Sequence, residues 1–154
     1  MTFDFERFTR AQERDFAQAL AELDAGRKRS HWIWYVFPQL AGLGSSPAAQ
    51  TYGLQGVEEA DAYLRDGVLR DRLLAAANAV RRHLERESPA GLRTLMGSDV
   101  DALKLVSSMT LFREIARRLG DDEVASVAQA ILRAAKAQGF AECEFTKRQI
   151  LSSA

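Results

Sequence analysis

Residues 27–47, RKRSHWIWYVFPQLAGLGSSP, hold both tryptophans, one of the two histidines and two of the three prolines. Within them Trp32, Ile33, Trp34, Tyr35, Val36 and Phe37 follow one another without a polar residue. Such a run has no face to offer water, so it stays ordered only if other elements cover it on every side. Six residues are far short of the roughly 20 that span a membrane, so the cover must be protein and the rest of the chain must pack around this stretch. By pattern alone the run is either a buried strand or a buried helical segment. Pro38 pushes Phe37 out of the helical region and ends either one.

The remaining sequence supplies helices for that cover. Phe5, Phe8, Phe16, Leu20 and Leu23 recur at helical spacing and predict a helix over about 4–25, with Asp4 as its N-cap and Phe3 stapled onto Phe8. Gly26 ends it in the left-handed conformation, and Arg27, Lys28 and Arg29 then lie at its negative end, where the ordinary reading is a solvated helix exit. Ser46-Pro47 opens a short helix to about 55, and Glu58–Leu64 suggests one or two more turns. Leu69, Leu73, Ala76, Val80 and Leu84 mark a core helix over 68–87, and Ser88-Pro89 caps a turn that Gly97 stops. Ser98 or Asp99 caps a helix to 119 with an apolar seam of Leu105, Met109, Phe112, Ala116 and Leu119. Gly120, Asp121 or Asp122, and Gly139 bracket another helix, and a tail with Phe140, Phe145, Ile150 and Leu151 docks without a clear period. The expectation is an all-α fold: one domain over 1–154, of six or seven helices, without repeats or linkers.

Several function classes lose ground on composition. With 21 basic and 21 acidic residues there is no global field to draw the chain onto nucleic acid. That role would need Arg27, Lys28, Arg29, Arg81, Arg82, Arg117 and Arg118 to converge on one face. A single cysteine, Cys143, excludes an internal disulfide, and neither His31 nor His83 has partners at metal-ligand spacing, so no metal is expected. His83, among Arg81, Arg82 and Glu85, reads as a surface residue. There is no GxxxxGK[ST] and no GxGxxG, and no cofactor is expected. The N-terminus mixes both charges in an amphipathic pattern unlike a signal peptide, which predicts a cytoplasmic protein.

Two places carry chemistry. Lys104, Ser107, Ser108 and Leu111 stand at i, i+3, i+4 and i+7, so an amine and two hydroxyls form a strip beside the apolar seam. The competing structural reading has Lys104 reaching to solvent and the serines bonding back to the preceding turn. The second place is the opening stretch, where Lys28, His31 and Gln39 precede a GLGSS turn containing Gly44 and Ser45. Backbone N–H groups at a helix start after such a turn suit an anion. His31 titrates near neutrality and is either a proton carrier or a hydrogen-bonded structural residue.

KRSHWIWYVFPQLAGLGSSPAAQTYGL, then EADAYL, then DALKLVSSMTLF, resemble an uncharacterised bacterial all-helical family sometimes mislabelled calpastatin. The resemblance runs from FDFERFTRAQ to the Phe112 helix and implies that the aromatic run is helical. It implies no activity. Its signature positions fall on Lys28, His31, Trp32, Pro38, Gln39, Gly42, Gly44, Lys104, Ser107, Ser108 and Thr110. Two departures stand out: Asp66-Gly67 replaces the family's histidine-proline pair, and the C-terminal segment is atypical. The resulting expectation is a pocket between the aromatic stretch and the Lys104 helix for a small anionic, nucleotide-like ligand. Lys28, Gln39, Gly44, Ser45, Ser107, Ser108 and Thr110 would line it, Trp32 would stack, and in turnover His31 would carry protons while Lys104 stabilises charge. The rival is a non-catalytic module that binds another protein.

Overall fold

A computed structural model describes residues 2–153. Among them lie nine helices: α1 (Glu6–Asp24), α2 (Ile33–Val36), α3 (Pro47–Tyr52), α4 (Val57–Arg65), α5 (Gly67–Leu84), α6 (Leu92–Met96), α7 (Asp99–Leu119), α8 (Asp122–Ala137) and α9 (Glu144–Ser152). The all-α expectation holds. The count exceeds six or seven because the aromatic run forms a single helical turn, α2, and the tail forms α9, neither of which shows a period.

The helix at the centre is α7, which meets α8 most extensively and also contacts α2, α4, α6 and α9. Twelve of its residues are buried, among them Leu105, Met109 and Phe112, which reproduces the seam expected from their spacing. Trp32, Ile33, Tyr35, Val36 and Phe37 join the same apolar core. A single parallel bridge, Leu40 to Leu54, ties the segment after α2 to the segment after α3.

Local chemistry sets most boundaries. Ser46 Oγ accepts from Ala49 N, Ser98 Oγ from Asp101 N and Asp121 Oδ1 from Val124 N, each satisfying an orphan donor of the first turn. Asp66 Oδ1 does the same for Leu69 N, so the departure from histidine-proline at Asp66-Gly67 is the cap and first residue of α5. Two local expectations are corrected. Phe5 rather than Asp4 occupies the cap position of α1, Asp4 accepts from Glu6 N at 2.9 Å, and Phe3 stacks on Phe5 rather than on Phe8. Ser88-Pro89 does not open α6: Gly91 is its cap residue, and Leu92 N donates to Gln138 Oε1 from the end of α8.

Candidate functional site

The site begins where α1 ends. Gly26 takes φ +87°, the left-handed conformation open to glycine, and Arg27 N returns to Glu22 O, turning the chain sharply back. The strand-like segment that follows is clamped by one carboxylate. Glu22 accepts from Arg29 N (2.7 Å), Ser30 N (2.9 Å), Ser30 Oγ (2.7 Å), Trp32 Nε1 (3.0 Å) and Gln18 Nε2 (3.1 Å). Partial burial alone would push this carboxyl up, but the Ser30 hydroxyl, the two backbone amides and the indole outweigh it and hold the group down at about 2. Gln12 acts similarly one step on, donating to Tyr35 O and to the Tyr63 hydroxyl while accepting from Arg72. Tyr35 in turn donates to Asp15, and burial followed by that carboxylate pushes its hydroxyl up to about 12.

This clamping aims two lysines at one acid. The Lys28 side chain is 5% exposed, and its ammonium lies 2.8 Å from Asp101 Oδ2, donates to Ser30 O and stands 4.9 Å from the Trp32 ring centroid. Lys104, 21% exposed, approaches the other oxygen of Asp101 at 3.5 Å and stands 3.9 Å from the Trp34 centroid. Each cation therefore has an aromatic face and a share in one carboxylate. Close approach at Lys28 depends on Gly97, at φ +86°, where an added Cβ would lie 2.9 Å from Lys28 O. Beside it opens a recess of about 430 Å³ lined by Arg27, Lys28, Arg29 and Gly97. Among the described residues neither Arg27 nor Arg29 has an acidic partner in ion-pair contact, so this edge carries excess positive charge.

The other expected residues are spread more widely. Trp32 is buried with its indole on Glu22, which leaves no open face for stacking. His31 is exposed, and its backbone carbonyl accepts from the Tyr35 hydroxyl at 3.2 Å. Gln39 and Gly44 line a narrow slot with Trp34, Leu40, Ala49, Tyr52 and Gly53, about 200 Å³ of empty space too tight for a water molecule. Ser45 is exposed beside it, and its carbonyl accepts from Gln50 Nε2. Ser107 and Ser108 are buried, and the Ser108 hydroxyl has no partner among the described residues. Thr110 bonds back to Val106 O at 2.8 Å and accepts from Cys143 N at 3.3 Å, tying α7 to the tail.

Three participants were missed by sequence reasoning. Asp101 and Glu22 read as ordinary helix acids, and only the packing of α1 against the start of α7 gives them their partners. His83, expected at the surface, is buried: its Nε2 lies 3.1 Å from Asp24 O, and an added Cβ at Gly26 would stand 3.3 Å from its ring. Its arginine neighbours face away while it turns under the end of α1. Among the described residues no group of three or more His, Cys, Asp or Glu could hold a metal ion, and no helix is long and apolar enough to cross a membrane.

A family of proteins of unknown function, DUF1810, matches residues 2–139. The chain belongs to that family. It is also similar to the crystal structure of the conserved hypothetical protein Rv1873 from Mycobacterium tuberculosis, with 38% identity, 95% of each chain covered and a TM-score of 0.75. No curated protein matches the chain.

Proposed function

We propose that this DUF1810 protein binds a small anionic, nucleotide-like molecule in the cytoplasm, its anionic group held at the basic edge formed by Arg27, Lys28 and Arg29. One observation carries the reading: Lys28 and Lys104 share a single carboxylate, Asp101, so the pair keeps one uncompensated positive charge beside two arginines without acidic partners. Planar arginine forks suit phosphate oxygens, and a concave, partly dehydrated edge strengthens the attraction. In turnover His31, exposed two residues beyond Arg29, would carry the proton and Lys104 would stabilise charge.

The test is a thermal-shift series with phosphate, mono- and dinucleotides and ADP-ribose. A compound at 100 times its Kd stabilises the fold by about 2.7 kcal/mol. The expected result is a shift in the parent that disappears in an Arg27→Ala/Arg29→Ala double variant whose own melting temperature is unchanged, and that weakens in Lys104→Ala. No shift with any of these anions overturns the reading. His31→Ala separates binding from turnover, since it should leave the shift intact and remove any product formation.

A second reading rests on α7, where Val100 and Leu103 stand one turn apart and are 60% and 52% exposed. An apolar pair of this kind favours a non-catalytic docking module, with another protein in place of the small molecule.

A further inference from the structure

Gln39 is only 7% exposed, yet among the described residues its side-chain amide makes no hydrogen bond, although its backbone carbonyl accepts from Leu54 N at 3.0 Å. A buried amide without partners is costly, because it has given up water and gained nothing in return. It lines the narrow slot together with two aromatic side chains, Trp34 and Tyr52, and two glycines, Gly44 and Gly53. Neither glycine position has room for a larger residue. A Cβ on Gly53 would meet Ala49 O at 2.7 Å, and one on Gly44 would stand 3.2 Å from the Ala49 Cβ and 3.8 Å from the Trp34 ring.

We infer that this slot is a binding site for a flat heteroaromatic ring, with Trp34 and Tyr52 flanking the ring and the Gln39 amide pairing with a donor and acceptor on its edge. An amide offers one acceptor and two donors, and an adjacent donor–acceptor pair on a nucleobase edge satisfies it bidentately. The inference builds on the proposed function by supplying the other half of the molecule. Lys104 stands over the Trp34 ring, so an anionic group attached to a ring in the slot has a cation within a short reach.

The slot opens by movement of one wall. Ala41 N to Leu54 O and Leu54 N to Gln39 O pin the Gln39 side to the segment after α3. The 42–46 loop has no such backbone pairing before the α3 cap and rests instead on the tail. The Phe145 Cζ of α9 lies 3.1 Å from where a Gly42 Cβ would be, at a glycine with φ +98°. Phe145 thus presses the loop onto Trp34, and release of that contact admits the ring.

The experiment titrates the uncharged nucleosides adenosine, guanosine, cytidine and uridine, and separately inorganic phosphate, into the parent and three variants by calorimetry and tryptophan fluorescence. At least one nucleoside should bind the parent or the Phe145→Ala variant, faster in the latter. Gln39→Leu should weaken that nucleoside by about tenfold or more while its melting temperature stays level or rises, since an unpaired buried amide has been removed. Gly44→Ala, whose methyl group fills the slot, should abolish binding even if Gln39→Leu proves unfolded. The slot is refuted if no nucleoside binds the parent or Phe145→Ala, or if both slot variants bind as the parent does. Phosphate separates the two proposals: nucleoside binding without phosphate binding keeps the slot and sinks the basic-edge reading, and the reverse result keeps the edge and sinks the slot.

Discussion

Where α8 packs into the bundle, its buried face consists of Val124, Val127, Ala128, Ile131, Leu132 and Ala135, without one hydrogen-bonding side chain. The 27–46 stretch is buried as deeply at Trp32, Phe37 and Gln39, but polar side chains from outside hold it: Glu22 and Gln12 from α1, and Asp101 from α7. Regular helix satisfies its own backbone groups, so its packing surface can be purely apolar. An irregular buried segment cannot, and needs a named partner for each exposed amide and carbonyl. The bundle should therefore tolerate change in proportion to volume lost, and the 27–46 stretch should fail at particular hydrogen bonds.

The largest expected effect tests the bundle side. Phe112 is fully buried and packs its ring 5.4 Å from Tyr63. Phe112→Ala should cost about 3–5 kcal/mol of global stability, seen as one cooperative shift in a urea melt. A loss below about 1 kcal/mol would show that the seam is not the keystone of the core.

Glu22→Gln tests the other side, with an expected loss of about 2 kcal/mol, since several donors share this one carboxylate. The effect should be local as well, reported by the fluorescence of Trp32, whose indole N–H donates to Glu22. It should also depend on pH. The Glu22 carboxyl is held at about 2 in the folded chain against an ordinary 4.5, so its contribution is complete above pH 4.5 and is lost as the pH falls toward 2. The parent and Glu22→Gln stabilities should therefore differ at neutral pH and converge in acid. A difference that persists unchanged at low pH would remove the charged clamp from the account.

The smallest effect is at the edge between the two regions. Ser46→Ala removes the cap of α3 and should cost about 1 kcal/mol. Because α3 is only six residues long, amide exchange should quicken there while the bundle stays protected.

Much of the bundle could be read along the chain because its determinants are local. The spacing of Leu105, Met109, Phe112 and Ala116 places them on one face of any helix, and Gly26, Gly97, Gly120 and Gly139 all adopt the positive φ that their positions at helix ends suggested. The expected site residues were legible only as types. Lys28 and Lys104 were singled out, but the acid they share was assigned to the start of a helix, and Trp34, not Trp32, is the tryptophan beside both Lys104 and the slot. His83 was misjudged because its sequence neighbours are charged, while its burial depends on the end of α1 coming to rest above it.

The sequence by itself determined the helices, their caps and the need to enclose the aromatic run, because periodicity, caps and glycine conformations act within a few residues. Only the tertiary structure decided that Asp101 lies between two lysines 73 and 3 residues away, that Glu22 grips the chain after its own helix has ended, and that Gln39 is buried without a partner. Those are facts of distance across the fold. No local rule fixes which charges meet until the core has set the helices against one another.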